Sequence, residues 1–290
     1  MTKPVRPRRS VLFAPAANAR ALAKAATLPV DGVILDLEDS VAPDAKPAAR
    51  DRAVATLAAG GFGWRERIVR ANGLDTPWGA ADLAALARAG ADAVLVPKIG
   101  SAAAARGAVA VLEAAGAPSD LQLWCMIETA AGVLAAAEIA RAHPRVTCLV
   151  AGTEDLGRDL NARPTPDRTP FLASLSLVVL AARAAGIAAL DSVHLDLSDA
   201  AGFAAVCRQG RDMGFDGKTL IHPSQIGPAN AAFGPDEAAV AHARRIVAAH
   251  AEALAAGRGV AVLDGRLVEN LHVATAERTL ALAAALAGRD

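Results

Sequence analysis

Residues 124–132 read W-C-M-I-E-T-A-A-G, and this stretch has the form of a buried strand that ends in one acid. Apolar residues run up to Glu128, and small residues then open a helix. About one strand later, residues 150–157 read V-A-G-T-E-D-L-G and carry Asp155 in the matching place. A lone acid at the end of an apolar strand is more typical of a site than of core packing. We interpret the two acids as ligands of one divalent cation.

Short apolar runs alternate with alanine-rich helical patterns as far as Pro228. Eight strand–helix units are the number in a closed parallel barrel, and continuous apolar runs are typical of parallel strands buried on both faces. The alternative is an open doubly wound sheet, which needs a glycine-rich phosphate loop after its first strand. No G-x-G-x-x-G occurs there, so we predict an α/β fold of the (β/α)8 TIM-barrel type. The runs are Val11–Ala14, Val33–Leu37, Ile68–Ala71, Ala93–Val96, Leu121–Ile127, Thr147–Val150, Ile187–Leu190 and Lys218–Ile221.

Beyond Pro228 the sequence no longer follows the strand–helix alternation. Pro235 and the acids after it start a helix that ends before Gly257. A short hairpin with the turn Asp264-Gly265 follows, and then a last helix over about 271–286. We predict a catalytic barrel in residues 1–228 and a C-terminal helical extension in residues 229–290. The extension either caps its own barrel or lies across a neighbouring subunit.

The bulk composition narrows the class of protein. The chain has 290 residues, 53% of them hydrophobic and only 3% aromatic, and a formal net charge of +0. Zero net charge argues against broad binding to nucleic acid or to an anionic membrane. No apolar core follows the basic N-terminus, and no run is long enough to span a bilayer. Three cysteines without metal or redox spacing indicate reduced thiols, so we expect a cytoplasmic protein.

Polar residues stand at nearly every predicted strand end, where a βα barrel forms its active site. Each has an ordinary alternative. The acids of the second strand could cap the next helix, Arg70 could form a rim ion pair, and Lys98 could lie along the surface. Asp191 could be a loop acid, and His222 could fix a turn. We predict an active site because all these residues fall at the same end of the barrel, and no single one would be sufficient. They are Asp36, Glu38, Arg70, Asn72, Lys98, Glu128, Asp155, Asp191 and His222.

Glu128 and Asp155 are the strongest pair. Neighbouring strands lie about 4.8 Å apart, so acids at adjacent strand ends can share an ion. Two carboxylates with several waters are a usual Mg²⁺ shell. The alternative is a protonated or lysine-paired acid couple. Gly152 and Thr153 beside them are expected to let backbone N–H groups approach a substrate carboxylate.

In combination, the motifs at the strand ends resemble the citrate lyase β-subunit-like (CitE-like) group of the HpcH/HpaI aldolase superfamily. The resemblance extends from Ser10 to about Leu271. It implies a βα barrel, commonly a trimer or hexamer, that cleaves or forms C–C bonds in acyl-CoA thioesters with Mg²⁺, or with Mn²⁺ in its place. The motifs are S-V-L-F-A-P, V-I-L-D-L-E-D-S-V-A-P, V-R-A-N, V-P-K, M-I-E-T-A-A-G, A-G-T-E-D-L and G-F-D-G-K-T-L-I-H-P-S-Q-I.

The resemblance also implies roles for single residues. Glu128 and Asp155 match the metal ligands, and Arg70 matches a substrate-binding arginine. We expect Glu128, and Asn72 on the same face as Arg70, to bind substrate as well. Asp36 and Glu38 match acids near the metal. The residues expected to hold the CoA thioester are Arg20, Lys24, Lys218, Ile221, His222 and Pro223.

The chain departs from the family pattern in two places. Relatives carry a tail aspartate that enters the neighbouring subunit's site, and the matching position here is Glu269, whose longer side chain changes the geometry of proton transfer. Residues 15–18 read P-A-A-N where relatives usually have Pro-Gly, which weakens the argument for a CoA phosphate site.

The resemblance implies a retro-Claisen lyase that splits a hydroxyacyl-CoA, such as citramalyl-, malyl- or citryl-CoA, into a keto acid and an acyl-CoA. Arg70 and the metal would stabilise developing oxygen charge, and Glu269 would protonate the enolate carbon. One alternative is a class II pyruvate aldolase, which uses a histidine near the second strand that this chain lacks. Others are a silent acyl-CoA-binding or complex-forming subunit and an enzyme acting on an acyl-carrier protein.

Overall fold

The computed structural model describes residues 5–289. Eight parallel strands close into a barrel in sequence order, with β1 pairing to β8, so the predicted barrel is confirmed. The strands coincide with the eight apolar runs to within a few residues. They are β1 (Ser10–Pro15), β2 (Gly32–Asp36), β3 (Glu66–Arg70), β4 (Ala93–Val96), β5 (Gln122–Ile127), β6 (Val146–Ala151), β7 (Ala188–Asp191) and β8 (Gly217–Leu220).

Helices follow the strands as the alanine-rich patterns predict. Several begin at side chains that cap the first turn, as Asn18, Ser101 and Asp199 do, because such side chains accept otherwise unpaired backbone N–H groups. The helices up to the tail are α1 (Ala19–Ala25), α2 (Lys46–Ala59), α3 (Gly79–Leu86), α4 (Ala102–Ala114), α5 (Ala130–Leu134), α6 (Ala136–Ala140), α7 (Thr153–Asp159), α8 (Leu172–Ala185), α9 (Ala200–Met213) and α10 (Ile226–Phe233).

The barrel interior is filled by side chains from all its walls. Trp124 on β5 is fully buried and belongs to a cluster with Ile34, Ile68, Leu95 and Leu190. A filled interior leaves function to the rim, where the strands end and the loops begin.

Residues 8–232 form one compact unit, and the residues from 233 onward belong to a second. The boundary expected after Pro228 falls inside α10. The second unit contains α11 (Glu237–Ala255), a hairpin of β9 (Ala261–Leu263) and β10 (Arg266–Val268), and α12 (Asn270–Leu286). The catalytic role of the first unit and the docking role of the second remain proposals.

Within residues 5–289, no helix combines the length and the apolar character needed to cross a bilayer.

Candidate active site

The ends of β2 and β3 place an acid directly beside an arginine. Asp36 and Arg70 are register partners in these neighbouring strands. Arg70 donates Nε to Asp36 Oδ1 at 2.6 Å and Nη2 to Asp36 Oδ2 at 2.7 Å. Burial opposes ionisation of Asp36, but the bond to Arg70 outweighs it and lowers the pKa of that carboxyl. The two-point pairing fixes the plane of the guanidinium.

The remaining face of Arg70 meets two more acids and one ring. Its Nη1 lies 2.7 Å from Glu38 Oε2 and 3.1 Å from Asp39 Oδ2. The guanidinium carbon stands 4.7 Å from the centre of the Phe13 ring. Burial raises the pKa of Glu38, and Arg70 offsets part of that rise. Arg70 is thus held in one orientation by three carboxylates and an aromatic face.

Glu128 and Asp155 share one cation, which is the ammonium group of Lys98. Lys98 Nζ lies 4.0 Å from Glu128 Oε1, 3.6 Å from Asp155 Oδ2 and 2.5 Å from Glu38 Oε1. The structure therefore shows the lysine-paired acid couple considered from the sequence, and it places Lys98 in the site rather than on the surface. It also brings the two expected ligands together, although Asp155 lies in the first turn of α7 rather than at the end of β6.

The same acids suit a divalent metal ion. Burial raises the pKa of Glu128 to about 7, with Glu38 adding to the rise, so a further cation beside this carboxylate is electrostatically favoured. No group of three potential ligands occurs in the described part of the chain, and Mg²⁺ usually takes one or two carboxylates and keeps waters. The donor set therefore fits Mg²⁺ at Glu128 and Asp155.

The charges of the site point the same way. With every carboxyl group ionised, five carboxylates of its ion-pair cluster face three cations, and one Mg²⁺ would neutralise the excess of two negative charges. The cluster consists of Asp36, Glu38, Asp39, Glu128, Asp155, Arg70, Lys98 and Arg158.

A cavity of about 370 Å³ opens beside these groups. Arg70, Glu128 and Asp155 line one part of it. Its other walls are largely apolar: Phe13, Pro15, Met126, Val193, Leu195 and Ile221. A cavity with a few converging charged groups on apolar walls is typical of a small-molecule site.

Gly152 and Thr153 serve the site differently from the sequence expectation. The Gly152 N–H donates to Ile127 O at 3.1 Å and the Thr153 N–H to Ser192 Oγ at 3.0 Å. Neither N–H is available to a substrate carboxylate. A Cβ on Gly152 would stand 2.7 Å from Glu128 Oε2, so the glycine leaves room for the Glu128 side chain.

The structure also corrects the substrate-binding role expected for Asn72. This residue is 2% exposed, and its amide nitrogen donates to Leu37 O and to Asp82 Oδ2. Its Oδ1 accepts from Lys46 Nζ, which also donates to the carbonyls of Leu37 and Glu38. Asn72 and Lys46 therefore join the ends of β2 and β3. Lys46 was missed because it is the first residue of α2, with no strand-end signal.

Lys218 is another expected contact that the structure corrects. It is fully buried, and its Nζ bonds to Asp191 Oδ2 and to the Ser192 carbonyl. Arg168 Nη1 contacts both oxygens of the same Asp191, at 2.7 and 2.9 Å. A side chain enclosed in this way cannot touch a CoA thioester. It holds the strand-end loop whose Ser192 meets Thr153 at the start of α7.

The structure places the other residues expected at the thioester in different surroundings. Ile221 lines the cavity, whereas His222 Nδ1 accepts from the Ser224 N–H and caps the next turn, which is its structural alternative. Arg20, Lys24 and Pro223 line no part of the cavity, and their contact with CoA remains a prediction, as does that of Ile221 and His222.

Glu269 lies in the second compact unit and is exposed. It precedes α12, and its backbone N–H donates to His272 Nδ1 at 3.1 Å. This contact fixes the backbone that carries the tail acid. The role of Glu269 in proton transfer remains a prediction.

A closed barrel with a cleft of converging acids and basic side chains at the carboxyl ends of its strands has the layout of a (β/α)8-barrel enzyme. Residues 9–223 match the HpcH/HpaI aldolase/citrate lyase family. The chain belongs to this family.

Two relatives and one solved structure show the extent of the similarity. The chain is 51% identical to a (3S)-malyl-CoA thioesterase of Cereibacter sphaeroides, over 99% of this chain and 98% of the relative. It is 36% identical to an L-malyl-CoA/β-methylmalyl-CoA lyase of Rhodobacter capsulatus, over 94% of each. The crystal structure of CitE from Mycobacterium tuberculosis with magnesium, acetoacetate and coenzyme A superposes with a TM-score of 0.73, at 35% identity, covering 95% of this chain and 97% of that one.

Proposed function

We propose that the protein is a Mg²⁺-dependent lyase that cleaves a 3-hydroxyacyl-CoA into a keto acid and an acyl-CoA, or joins them in reverse. The observation that carries the proposal is the acid pair Glu128 and Asp155. Both carboxylates lie near the Lys98 ammonium, beside the fixed guanidinium of Arg70. The similarity to a malyl-CoA lyase and to a CitE structure that holds magnesium and coenzyme A supports it.

The residues divide the work as follows. Glu128 and Asp155 would hold Mg²⁺, which supplies Lewis-acid stabilisation of oxygen charge when bound. Arg70, oriented by Asp36, faces the same cavity and stabilises negative charge that develops on substrate oxygen. As the hydroxyl proton leaves to a base, the C–C bond breaks and its electron pair forms the thioester enolate. Glu269 returns a proton to the enolate carbon.

Thioester hydrolysis is a second candidate function, and two observations favour it. The relative with 51% identity is a (3S)-malyl-CoA thioesterase. In addition, the tail acid is glutamate where lyases of the family usually have aspartate, and hydrolysis needs no proton delivered to carbon. The same binding site would serve both reactions, since both act on the acyl-CoA next to the metal.

One assay separates the two functions. Malyl-, citramalyl- and citryl-CoA are incubated with Mg²⁺ or with a chelator, and keto acid and free CoA thiol are measured in parallel. A lyase releases keto acid without free thiol, whereas a thioesterase releases free thiol without keto acid. Glu269→Gln should abolish only the first reaction.

The metal claim has its own control pair. Glu128→Gln should abolish turnover and remove the Mg²⁺-induced rise in melting temperature. The exposed Glu138 on α6 provides the matched substitution, and Glu138→Gln should change neither. Full turnover by Glu128→Gln contradicts the metal site.

Assembly and location are part of the proposal. A tail acid donated to a neighbouring barrel, as in the lyases of the family, requires a homo-oligomer, and a trimer or a hexamer is the expected state. The cytoplasmic location rests on Cys125, Cys148 and Cys207, which are buried and unpaired, as is usual for proteins of a reducing compartment.

A further inference from the structure

Lys98 meets the candidate metal site through both its backbone and its side chain. It lies two residues beyond the end of β4, and its backbone N–H donates to Glu128 Oε1 at 2.8 Å. Its ammonium lies 2.5 Å from Glu38 Oε1 and 3.6 Å from Asp155 Oδ2. One residue thus touches three carboxylates that stand on three different segments of the barrel rim.

The backbone of Lys98 is in an uncommon conformation. Its φ is +53°, which lies in the left-handed region that residues with a Cβ seldom occupy. Such a conformation persists where the surrounding contacts determine it, and it clusters at functional sites. Here the left-handed turn directs the N–H of Lys98 at one oxygen of Glu128 while its side chain reaches the other acids.

Lys98 contacts the acids of the cavity without belonging to the described lining of the cavity itself. Glu128 and Asp155 line the cavity, but among the described residues that line it Lys98 is not included. Its side chain is 32% exposed. The ammonium is charged at neutral pH, because the ordinary pKa of lysine is about 10.4 and three carboxylates lie within 4.0 Å of it.

We propose that Lys98 is a positioning residue that preforms the metal site and sets how tightly it binds Mg²⁺. Its N–H restrains one oxygen of Glu128, and its ammonium neutralises the mutual repulsion of Glu38, Glu128 and Asp155. The inference rests on the proposed metal site and is independent of the acyl-CoA that the enzyme uses.

The ammonium has two opposing consequences for the protein. Without a bound ion, it stabilises the fold, because three carboxylates would otherwise face one another with one countercharge fewer. With an ion bound, it repels that ion across a short distance. Removing the charge should therefore weaken the metal-free protein and strengthen Mg²⁺ binding, whereas the loss of an ordinary packing residue would weaken both.

Three variants separate the contributions of the backbone N–H, the side chain and the charge of Lys98. Lys98→Gly removes the side chain, keeps the N–H and suits a positive φ. Lys98→Met keeps the length of the side chain without its charge. Lys98→Arg keeps the charge and serves as the control. The measurements are the dissociation constant of Mg²⁺ by calorimetry, at about pH 8.5 where ordinary carboxyls are ionised, and the melting temperature with and without Mg²⁺.

For Lys98→Gly and Lys98→Met we expect a Mg²⁺ dissociation constant about tenfold lower than in the wild type, discounted for partial exposure. We also expect a lower melting temperature without metal and a larger rise on adding Mg²⁺. Lys98→Arg should stay close to the wild type. Unchanged or weaker Mg²⁺ binding in both neutral variants overturns the inference alone. If the wild type binds no Mg²⁺, both this inference and the proposed metal site are overturned.

Discussion

At the scale of single residues, the acidity of Glu128 links pH to metal binding. Burial, with Glu38 nearby, raises the pKa of this carboxyl to about 7, so below that pH the folded, metal-free protein holds a proton there. Mg²⁺ requires the carboxylate, and binding must release the proton. The folded pKa lies above the unfolded one, so the contribution of Glu128 to metal-free stability falls as pH rises from about 4.5 to about 7.

We therefore predict that Mg²⁺ affinity rises with pH and levels off above about pH 7, with a slope of up to about tenfold per pH unit below it. Calorimetric titration between about pH 5.5 and 8.5 measures this. Repeating it in buffers of different ionisation enthalpy counts the protons released. A constant affinity below about pH 7 would show that Glu128 is ionised before the ion arrives.

Gly152 is a steric partner of the same carboxylate. The Cβ of Gly152→Ala would lie 2.6 Å from Glu128 Cβ and 2.7 Å from its Oε2, so the metal ligand must move. We predict that this variant loses at least about tenfold in Mg²⁺ affinity and in turnover, because displacement of one of only two protein ligands disrupts the shell.

Gly227 on α10 is the matched control for that substitution. A Cβ there meets nothing within 4 Å, and alanine favours a helix over glycine by about 1 kcal/mol. Gly227→Ala should keep full Mg²⁺ binding and melt at the same or a slightly higher temperature. Normal Mg²⁺ binding by Gly152→Ala would mean that Glu128 has another way to reach the ion.

At the scale of elements, a buried charge cluster joins the end of β7, at Asp191, to Lys218 near the start of β8. Asp191 accepts from both Arg168 and Lys218, and Arg168 Nη2 is buried without a hydrogen-bond partner in the described structure. The cluster holds two cations on one acid. Removing Asp191 would leave two buried cations without a counterion, whereas removing Lys218 would leave Asp191 paired with Arg168.

We predict that Asp191→Asn destabilises the protein by about 3–5 kcal/mol, because two buried cations then lack a counterion. Lys218→Met should cost at most about 2 kcal/mol, because Arg168 still neutralises Asp191 and only the Ser192 carbonyl loses its donor. Equilibrium denaturation of both variants measures the difference. Equal losses would mean that Lys218, rather than Arg168, is the main counterion of Asp191.

The elements also show how far the sequence could predict the site. Apolar runs located all eight strands, and the barrel rule placed their polar ends together, so Asp36 and Arg70 could be expected as neighbours. Which polar side chains remain available to a ligand is decided by contacts distant in sequence. Asn72 is taken up by Asp82, ten positions later, and Lys218 by an acid from the preceding strand. The pattern of polar residues at the strand ends predicts neither of these two contacts.

Lys98 shows the complementary difficulty. Its sequence context, V-P-K, is compatible with a surface lysine. Its role depends on a positive φ and on three carboxylates from elsewhere in the chain. No local pattern encodes that geometry, so the sequence left this residue between surface and site.

At the scale of the whole molecule, the proposed chemistry draws on both compact units. The proposed metal ligands and Arg70 belong to residues 8–232, whereas Glu269 belongs to the unit that includes the residues from Phe233 onward. If the tail acid serves a neighbouring barrel, then each active site needs two chains. This arrangement can be tested by combining two variants that are each inactive.

We predict that Glu128→Gln and Glu269→Gln, each without lyase activity alone, regain activity when coexpressed and purified as mixed oligomers through two different tags. A working site then takes its barrel from the Glu269→Gln chain and its tail from the Glu128→Gln chain. Random mixing in equal amounts makes about a quarter of all sites competent in a closed ring, and about one site in three in a mixed trimer selected by both tags. Mixing the purified variants without subunit exchange is the control and should restore nothing. Mixed oligomers that stay inactive would mean that each chain supplies its own acid or that Glu269 is not the acid used.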